Sequence, residues 1–262
     1  MSFWVALYFT IYHQQSKDKF FSIFLLMTML SYSYILTNIR QGLSIALIFL
    51  AYHLVTKKHL IRAGMSILLA SIFHTSALIF ILVFPLSYIK LNKWSLLGIS
   101  IVSLPLYVVI PSLIVKVMSV TTKYESYLES SWFLDGNKIS LVLRLVMIVL
   151  IFLAGEWILR DKKLSRHEHL LRNIIFVGVL FSFFNMNTAL ISRFTTYFST
   201  FMILYLPLIL QKIDKRYIQR TAYFLMILLF ATQALTIMIF KPEWNVIVPY
   251  ENVVYDWFSS FF

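Results

Sequence analysis

The chain alternates between long apolar blocks and short polar turns. Apolar blocks of about 18 to 25 residues recur from end to end, each long enough to cross ~30 Å of hydrocarbon as a helix. No ten-residue alternating pattern appears, so a β-barrel fits poorly. The pattern predicts an all-α, polytopic helical membrane protein with about seven to nine membrane segments, in a single transmembrane domain over residues 1–262. The candidate spans are Phe20–Leu36, Leu43–Val55, Ala63–Leu86, Ser95–Val120, Ile139–Leu159, Asn173–Leu190, Phe194–Leu210 and Tyr217–Phe240.

Composition agrees with a membrane location. The chain is 60% hydrophobic and only 13% charged, whereas a soluble domain carries roughly 25% charged residues. It has no cysteine, which excludes disulfides, thiolate metal sites and cysteine lipidation. The first apolar block, Phe3–Tyr12, is too short to span alone and does not resemble a cleavable signal peptide.

The positive charge of the chain lies mainly in short loops. The net charge is +12, and the loops 56–62, 160–172 and 211–220 are strongly basic. This distribution is typical of the positive-inside rule and indicates a cytoplasmic location for these loops, with anionic lipids rather than nucleic acid as partners. Acidic residues outnumber lysines in an expected outer loop, 119–138, and in an expected outer aromatic tail, 241–262.

One apolar block must be irregular. The loop charges require an odd number of crossings between the basic loop 56–62 and the outer loop 119–138, yet two apolar blocks lie between them. In one arrangement, which we favour, Ala63–Leu86 enters the membrane and returns as two half-helices. In the other, Ser95–Val120 is broken at its prolines into one span and an interfacial piece.

Two arginines are predicted at the outer ends of spans. Arg40, followed by Gln41, opens one span, and Arg193 opens another with Tyr197 one helical turn later. A guanidinium presents a planar fork of donors that matches carboxylate or diphosphate oxygens. The functional interpretation is a pair of cations reaching into an outer cavity. The structural alternative is a helix-end arginine that reaches up to the lipid headgroups.

Other polar residues are candidates with structural alternatives of their own. His74 is a titratable group at membrane depth, which fits a general base or a structural hydrogen bond to a neighbouring helix. Arg144, a few residues into its span, either joins the outer cations or lies among headgroups. In the outer loop, Lys123 with Tyr124 and Tyr127 fits either stacking on a sugar ring or interfacial anchoring.

The chain lacks the common nucleotide, hydrolase and metal motifs. His167 and His169 sit in a charged loop, where solvation explains them better than metal binding. No cofactor and no metal is therefore expected. No Asp or Glu lies centrally in a span, which makes transport coupled to an intramembrane carboxylate a weaker interpretation.

Four stretches in order resemble the EpsG family, Wzy-type bacterial membrane proteins of exopolysaccharide and capsule assembly. They are "NIRQGLSIALIFLAYHL", "SIFHTSALIFILVFPL", "KYESYL" and "SRFTTYFSTFMILYLP". Each motif is short, so the specificity lies in their combination over most of the chain. The resemblance implies further spans before Arg40, where this chain has Phe3–Tyr12 and one clear span. Either the true start lies upstream or this copy is N-terminally truncated.

The resemblance implies a glycosyltransferase in the bacterial plasma membrane that polymerises undecaprenyl-diphosphate-linked oligosaccharides at the outer leaflet, alongside a flippase and a chain-length regulator. The loop charges predict an outer C-terminus. By position, the residues that match the family are Arg40, Gln41, His74, Arg193 and Tyr197. From their chemistry, the two arginines would bind the diphosphate without a metal, His74 would be the general base, and Gln41 and Tyr197 would contact substrate. The alternatives are a flippase-like transporter of lipid-linked glycan, or a membrane O-acyltransferase or glycan ligase.

Overall fold

The computed structural model describes residues 16–29, 38–119, 138–187 and 191–240. Within these ranges the regular structure is helical and no strand occurs. The elements are α1 (Lys19–Thr28), α2 (Ile39–Thr56), α3 (Leu60–Phe73), a 3-10 helix (Thr75–Leu82), α4 (Val83–Leu86), α5 (Lys93–Ser119), α6 (Lys138–Leu159), α7 (Arg166–Asn185), α8 (Ser192–Ser199), α9 (Met202–Gln211) and α10 (Arg216–Phe240). The predicted all-α class is confirmed.

Five segments among the described residues are long and apolar enough to cross a membrane. They are Ile39–Thr56, Lys93–Ile110, Leu141–Leu159, Ser192–Gln211 and Arg216–Phe240. The segment formed by α8 and α9 is 72% buried, whereas those of α5 and α10 are 11% buried. The first therefore lies inside the bundle, and the other two lie at its edge with most of their apolar side chains exposed. The chain is a multi-pass membrane protein.

The basic loops meet at one end of the bundle. Lys212 Nζ lies 3.0 Å from Glu168 Oε1, which joins the end of α9 to the start of α7. The ring of Tyr52, near the end of α2, lies 5.7 Å from the ring of His167. Gln211 Nε2 donates to the Lys17 carbonyl, which brings the start of α1 to the same level. We call this end the basic face; it carries residues 56–62, 87–93, 160–172 and 211–220.

The segment between α2 and α5 is re-entrant. Helix α3 ends at Phe73, because His74 is extended, with φ −151° and ψ 108°, and the chain continues as the 3-10 helix. On the returning side, Asn173 Nδ2 donates to the Leu86 carbonyl at 3.0 Å and to the Ile89 carbonyl at 2.7 Å. Since Asn173 lies in the second turn of α7, this segment leaves the membrane at the basic face, where it also entered.

The first of the two sequence alternatives is therefore the one observed. Helix α3 has 14 residues and is about 21 Å long, short of the ~30 Å hydrocarbon core. Helix α5 instead runs without a break through Pro105 and Pro111. A break at membrane depth is tolerated where the freed backbone groups are buried in protein. Here they lie against α2 and α8, which pack on the segment.

The turn between α2 and α3 is a helix C-terminus of the Schellman type. The His59 N–H donates to the Leu54 carbonyl and the Lys58 N–H to the Val55 carbonyl. Lys58 occupies the position that favours glycine, with φ 64°. The turn reverses the chain so that α3 packs along α2 through small buried residues, among them Ala63, Ser66 and Ala70.

Helix α7 lies at the centre of the described bundle, in contact with α4, α5, α6, α8 and α9. It starts with a capping box: the Ser165 hydroxyl accepts from the Glu168 N–H, and the Glu168 carboxylate accepts from the Ser165 N–H. The predicted span Asn173–Leu190 thus belongs to a helix that begins two turns earlier. Those first turns hold charged side chains at the basic face.

Candidate functional site

Two arginines open helices at the end of the bundle opposite the basic face. Arg40 is the second residue of α2 and is exposed, while Arg193 is the second residue of α8 and is half-buried. The neighbouring Gln41 is 5% exposed, and its Nε2 donates to the Arg193 carbonyl at 3.3 Å. The amide thereby ties the first turn of α2 to the first turn of α8.

His74 lies at the tip of the re-entrant segment, beside α8. Its ring centroid is 6.4 Å from that of Tyr197, with the two planes tilted by 51°. Tyr197 is fully buried, and the Ser76 hydroxyl lies 3.5 Å from its phenol oxygen, a long hydrogen bond. Because α3 ends at this point, the half-buried imidazole of His74 lies beside α8.

Arg40 and Arg193 are brought to the same region as His74, because Gln41 bonds the Arg193 backbone and His74 packs beside Tyr197 of the same helix. Three helix N-termini also meet here, those of α2, α8 and the 3-10 helix, and helix N-termini favour anions. All five described carboxylates lie at the basic face, at Asp18, Glu156, Asp161, Glu168 and Asp214. Among the described residues, the charged side chains at this end are therefore cationic. We call Arg40, Gln41, His74, Ser76, Arg193 and Tyr197 the polar cluster.

Residues 1–252 match the model of the EpsG family. The chain belongs to the EpsG family. It is thus an exopolysaccharide-related membrane protein, and the family implies lipid-linked polysaccharide substrates in the membrane. No curated protein and no solved structure matches the chain.

In this EpsG-family protein the structure brings together five of the residues proposed from sequence, which are Arg40, Gln41, His74, Arg193 and Tyr197. Their catalytic and substrate-binding roles remain predictions. Arg144 is exposed on α6, and within the described residues no hydrogen bond or ion pair joins it to the polar cluster. Lys123, Tyr124 and Tyr127 fall outside the described residues, as does the tail 241–262.

Ser44 and Ser76 were not selected from the sequence but touch the polar cluster or its backbone. Ser76 lies two residues after His74, and its hydroxyl contacts Tyr197. Ser44 lies one helical turn after Arg40, and its hydroxyl bonds the backbone of both α2 and α3. Their spacing from Arg40 and His74 is the only sequence signal, because serine is common in membrane helices.

A second group of charges is buried at the basic face of the EpsG-family chain. The Arg172 guanidinium binds both carboxylate oxygens of Glu156, and its Nη1 donates to the Leu91 carbonyl at 2.7 Å. This joins α7, α6 and the end of the re-entrant segment. Beside it, a Cβ on Gly155 would lie 2.1 Å from the Tyr205 hydroxyl, so a larger residue would require the buried Tyr205 side chain or its helix to shift.

Titratable side chains at the basic face are shifted by their surroundings. Burial lowers the pKa of His167 and also that of His169, where Arg172 and Lys90 act in the same direction. Burial acts to raise the pKa of Glu168, but hydrogen bonds from the Ser165 backbone and from Lys212 together lower it. No group of three or more His, Asp or Glu side chains within the described ranges is arranged to hold a metal ion.

Proposed function

We propose that this EpsG-family protein is a polysaccharide polymerase that joins undecaprenyl-diphosphate-linked repeat units at the outer leaflet of the bacterial plasma membrane. The observation that carries the proposal is the polar cluster: Gln41, next to Arg40, bonds the backbone of Arg193, and His74 packs beside Tyr197, one turn after Arg193. A diphosphate needs concentrated positive charge, and a sugar hydroxyl needs a proton acceptor nearby.

The orientation follows from the loop charges. The basic face carries the lysine- and arginine-rich loops, and the positive-inside rule assigns such loops to the cytoplasm. The polar cluster then faces the outside, where lipid-linked repeat units are joined. We propose the same outer location for the C-terminus, because α10 starts at Arg216 in a loop of the basic face and is long enough to cross the membrane.

In the proposed reaction, a hydroxyl oxygen of one repeat unit attacks the anomeric carbon of the lipid-linked sugar of another. The bond between that carbon and the diphosphate oxygen breaks, and undecaprenyl diphosphate leaves. His74 accepts the hydroxyl proton. Arg40 and Arg193 bind the diphosphate and stabilise the charge that grows on it, an effect that is strong where water is excluded.

In this proposal Tyr197 and Gln41 keep His74 and Arg193 in position. Tyr197 is buried beside the imidazole, where its ring limits the positions open to His74. Gln41 holds the backbone of Arg193 through its amide. No metal enters the proposed mechanism, because the two guanidinium groups and the helix N-termini supply the positive charge.

The proposal is tested by replacing each cation of the polar cluster. Arg40→Ala and Arg193→Ala should each lower polymerisation by about 10²- to 10³-fold, because each removes charge stabilisation from the leaving group. High-molecular-weight glycan should disappear while single lipid-linked repeats accumulate on the outer leaflet. Arg40→Lys should also be damaging, because an ammonium cannot form the paired hydrogen bonds of a guanidinium.

Arg160→Ala is the matched control, since Arg160 is an exposed arginine at the basic face. It should leave glycan length unchanged. Repeats that accumulate on the cytoplasmic leaflet in Arg40→Ala would contradict the polymerase and favour a transporter. Normal polymer length in His74→Ala would exclude His74 as the base.

A further inference from the structure

We propose that Ser44 is a positioning residue for the transfer reaction, because its buried hydroxyl holds the helix turn before His74 at a fixed distance from Arg40. The inference rests on the polymerase function proposed above. It concerns a residue that touches neither the diphosphate nor the sugar and acts through the backbone of α2 and α3.

The hydroxyl of Ser44 lies between two backbone carbonyls. Ser44 is fully buried, and its Oγ is 2.8 Å from the Ala70 carbonyl oxygen of α3 and 3.1 Å from the Arg40 carbonyl oxygen of α2. A hydroxyl has one proton to donate, and the shorter distance favours Ala70. The Ala70 carbonyl also accepts from the His74 N–H at 3.0 Å.

These contacts link Arg40 to His74 through Ser44 and Ala70. Arg40 and Ser44 are four residues apart in α2, and Ala70 and His74 are four residues apart at the end of α3. The bond from Ser44 to Ala70 is the cross-link between the two turns. A change in its length therefore moves His74 relative to Arg40 within a single helical turn on each side.

The Ser44 hydroxyl is a second donor to the Ala70 carbonyl. That carbonyl already accepts from the His74 N–H, and a carbonyl oxygen has two lone pairs. The chain is extended at His74, so α3 ends directly after the turn that Ser44 contacts. Ser44 gives the last turn of α3 a directional contact, whereas apolar packing alone would leave its rotation and height less defined.

The same interface contains a matched control. Ser66 is 7% exposed, and its Oγ donates to the Leu47 carbonyl at 2.8 Å. This is again one serine hydroxyl bonded across α2 and α3, but it lies nearer the basic face. Removing either hydroxyl deletes the same kind of bond from the same helix pair, so the two variants should lose similar stability and differ only in distance from His74.

The experiment measures initial rates of polymerisation with lipid-linked repeat units extracted from a deletion strain, which accumulates them. Ser44→Ala should lower kcat about 10- to 100-fold, because displacement of a catalytic group by about 1 Å has effects of this size. KM should change little, since Ser44 does not contact substrate. Ser66→Ala should keep nearly the wild-type kcat, with a thermal midpoint lowered as in Ser44→Ala.

Two further variants separate positioning from general destabilisation. In a His74→Ala background, Ser44→Ala should cause no additional loss of kcat, because the group that it positions is gone. Ser44→Cys, which keeps a weaker donor at similar volume, should have an intermediate kcat.

Equal losses of kcat in Ser44→Ala and Ser66→Ala would overturn the inference, as would a full Ser44→Ala effect in the His74→Ala background. A wild-type kcat in Ser44→Cys would show that a hydroxyl bond is not needed. These failures differ from failure of the proposed function, in which Arg40→Ala itself would retain normal polymerisation.

Discussion

The two ends of the bundle handle buried and half-buried charge in opposite ways. At the basic face, the carboxylate of Glu156 accepts from Nε and Nη2 on one edge of the Arg172 guanidinium, and Lys212 pairs with Glu168. At the other end, the described charged side chains are the cations Arg40 and Arg193, which open α2 and α8, and His74 packs beside Tyr197 of α8. Among the described residues, the first arrangement pairs opposite charges and the second groups cations near an imidazole.

This difference suggests how charges that stabilise a membrane protein can be distinguished from charges that bind its substrate. A buried ion pair is costly to break, because removing one partner leaves an uncompensated charge. A cation that serves an anionic substrate should contribute little to folding and much to turnover. Variants at the basic face should therefore change stability, and variants in the polar cluster should change glycan synthesis.

The largest effect on stability is expected for Glu156→Gln. The amide cannot neutralise Arg172, whose side chain is 9% exposed, so the free energy of unfolding should fall by about 3 kcal/mol. This corresponds to a thermal midpoint lower by roughly 6 to 12 °C for a protein of this size, measured by melts in detergent micelles.

Asp161→Asn is the matched control for that pair. Arg160 and Asp161 are 64% and 79% exposed, and such pairs contribute about 0 to 1 kcal/mol. The melt should be nearly unchanged. If Glu156→Gln melted like Asp161→Asn, or if Arg40→Ala melted like Glu156→Gln, the contrast between the two ends would fail.

A smaller, pH-dependent effect is expected for Glu168→Gln. The folded protein lowers the pKa of Glu168 below 4.5, so the carboxylate stabilises the fold above that pH and loses its effect as the pH falls through the folded pKa. At pH 7 the variant should be less stable by about 1 to 2 kcal/mol, since it loses a charged hydrogen bond to Lys212.

The difference in thermal midpoint between wild type and Glu168→Gln should shrink as the pH is lowered from 7 to about 3.5. Asp214→Asn, which removes the exposed partner of Lys162, should give only a small difference at pH 7. If the difference in thermal midpoint between wild type and Glu168→Gln grew as the pH was lowered, folding would raise the pKa of Glu168 and the prediction would be wrong.

The smallest effect is expected for Lys58→Gly, which should stabilise the protein. Lys58 has φ 64°, a conformation that costs an ordinary side chain and suits glycine at a helix C-terminus. The thermal midpoint should rise by an amount equivalent to about 0.5 to 1 kcal/mol, with glycan length unchanged. Lys57→Gly removes the same loop charge at φ −87° and should give no such gain.

The sequence was sufficient for the class of protein and for the broken segment. Apolar blocks of membrane length predict helices because backbone groups in lipid must bond internally. The loop charges also required an odd number of membrane crossings between loops 56–62 and 119–138. One of the two arrangements that meet this requirement is the re-entrant segment found in the structure. Hydropathy alone did not reveal that α7 begins at Arg166, because its first two turns are charged and contact protein rather than lipid.

Candidate chemistry was predictable only as types of residue at one level of the membrane. Arg40 and Arg193 could be assigned to the same side, since each follows an outer turn. Arg144 fitted the same rule but has no hydrogen bond or ion pair to the polar cluster in the part of the chain that the structure describes. The depth of a residue in the membrane can be predicted from loop charge and span length. Its position around the axis of the bundle depends on how each helix is rotated, which these patterns do not give.

The sequence alone is enough to predict an all-helical membrane protein of the EpsG family, with the basic loops on one face and two arginines on the other. Three contacts could not be predicted in this way: the bond from Gln41 to the Arg193 backbone, the bond from Ser44 to the turn before His74, and the pairing of Arg172 with Glu156. These contacts join residues from 16 to 152 positions apart. Helix rotation and packing set them, and neither is written in hydropathy or charge.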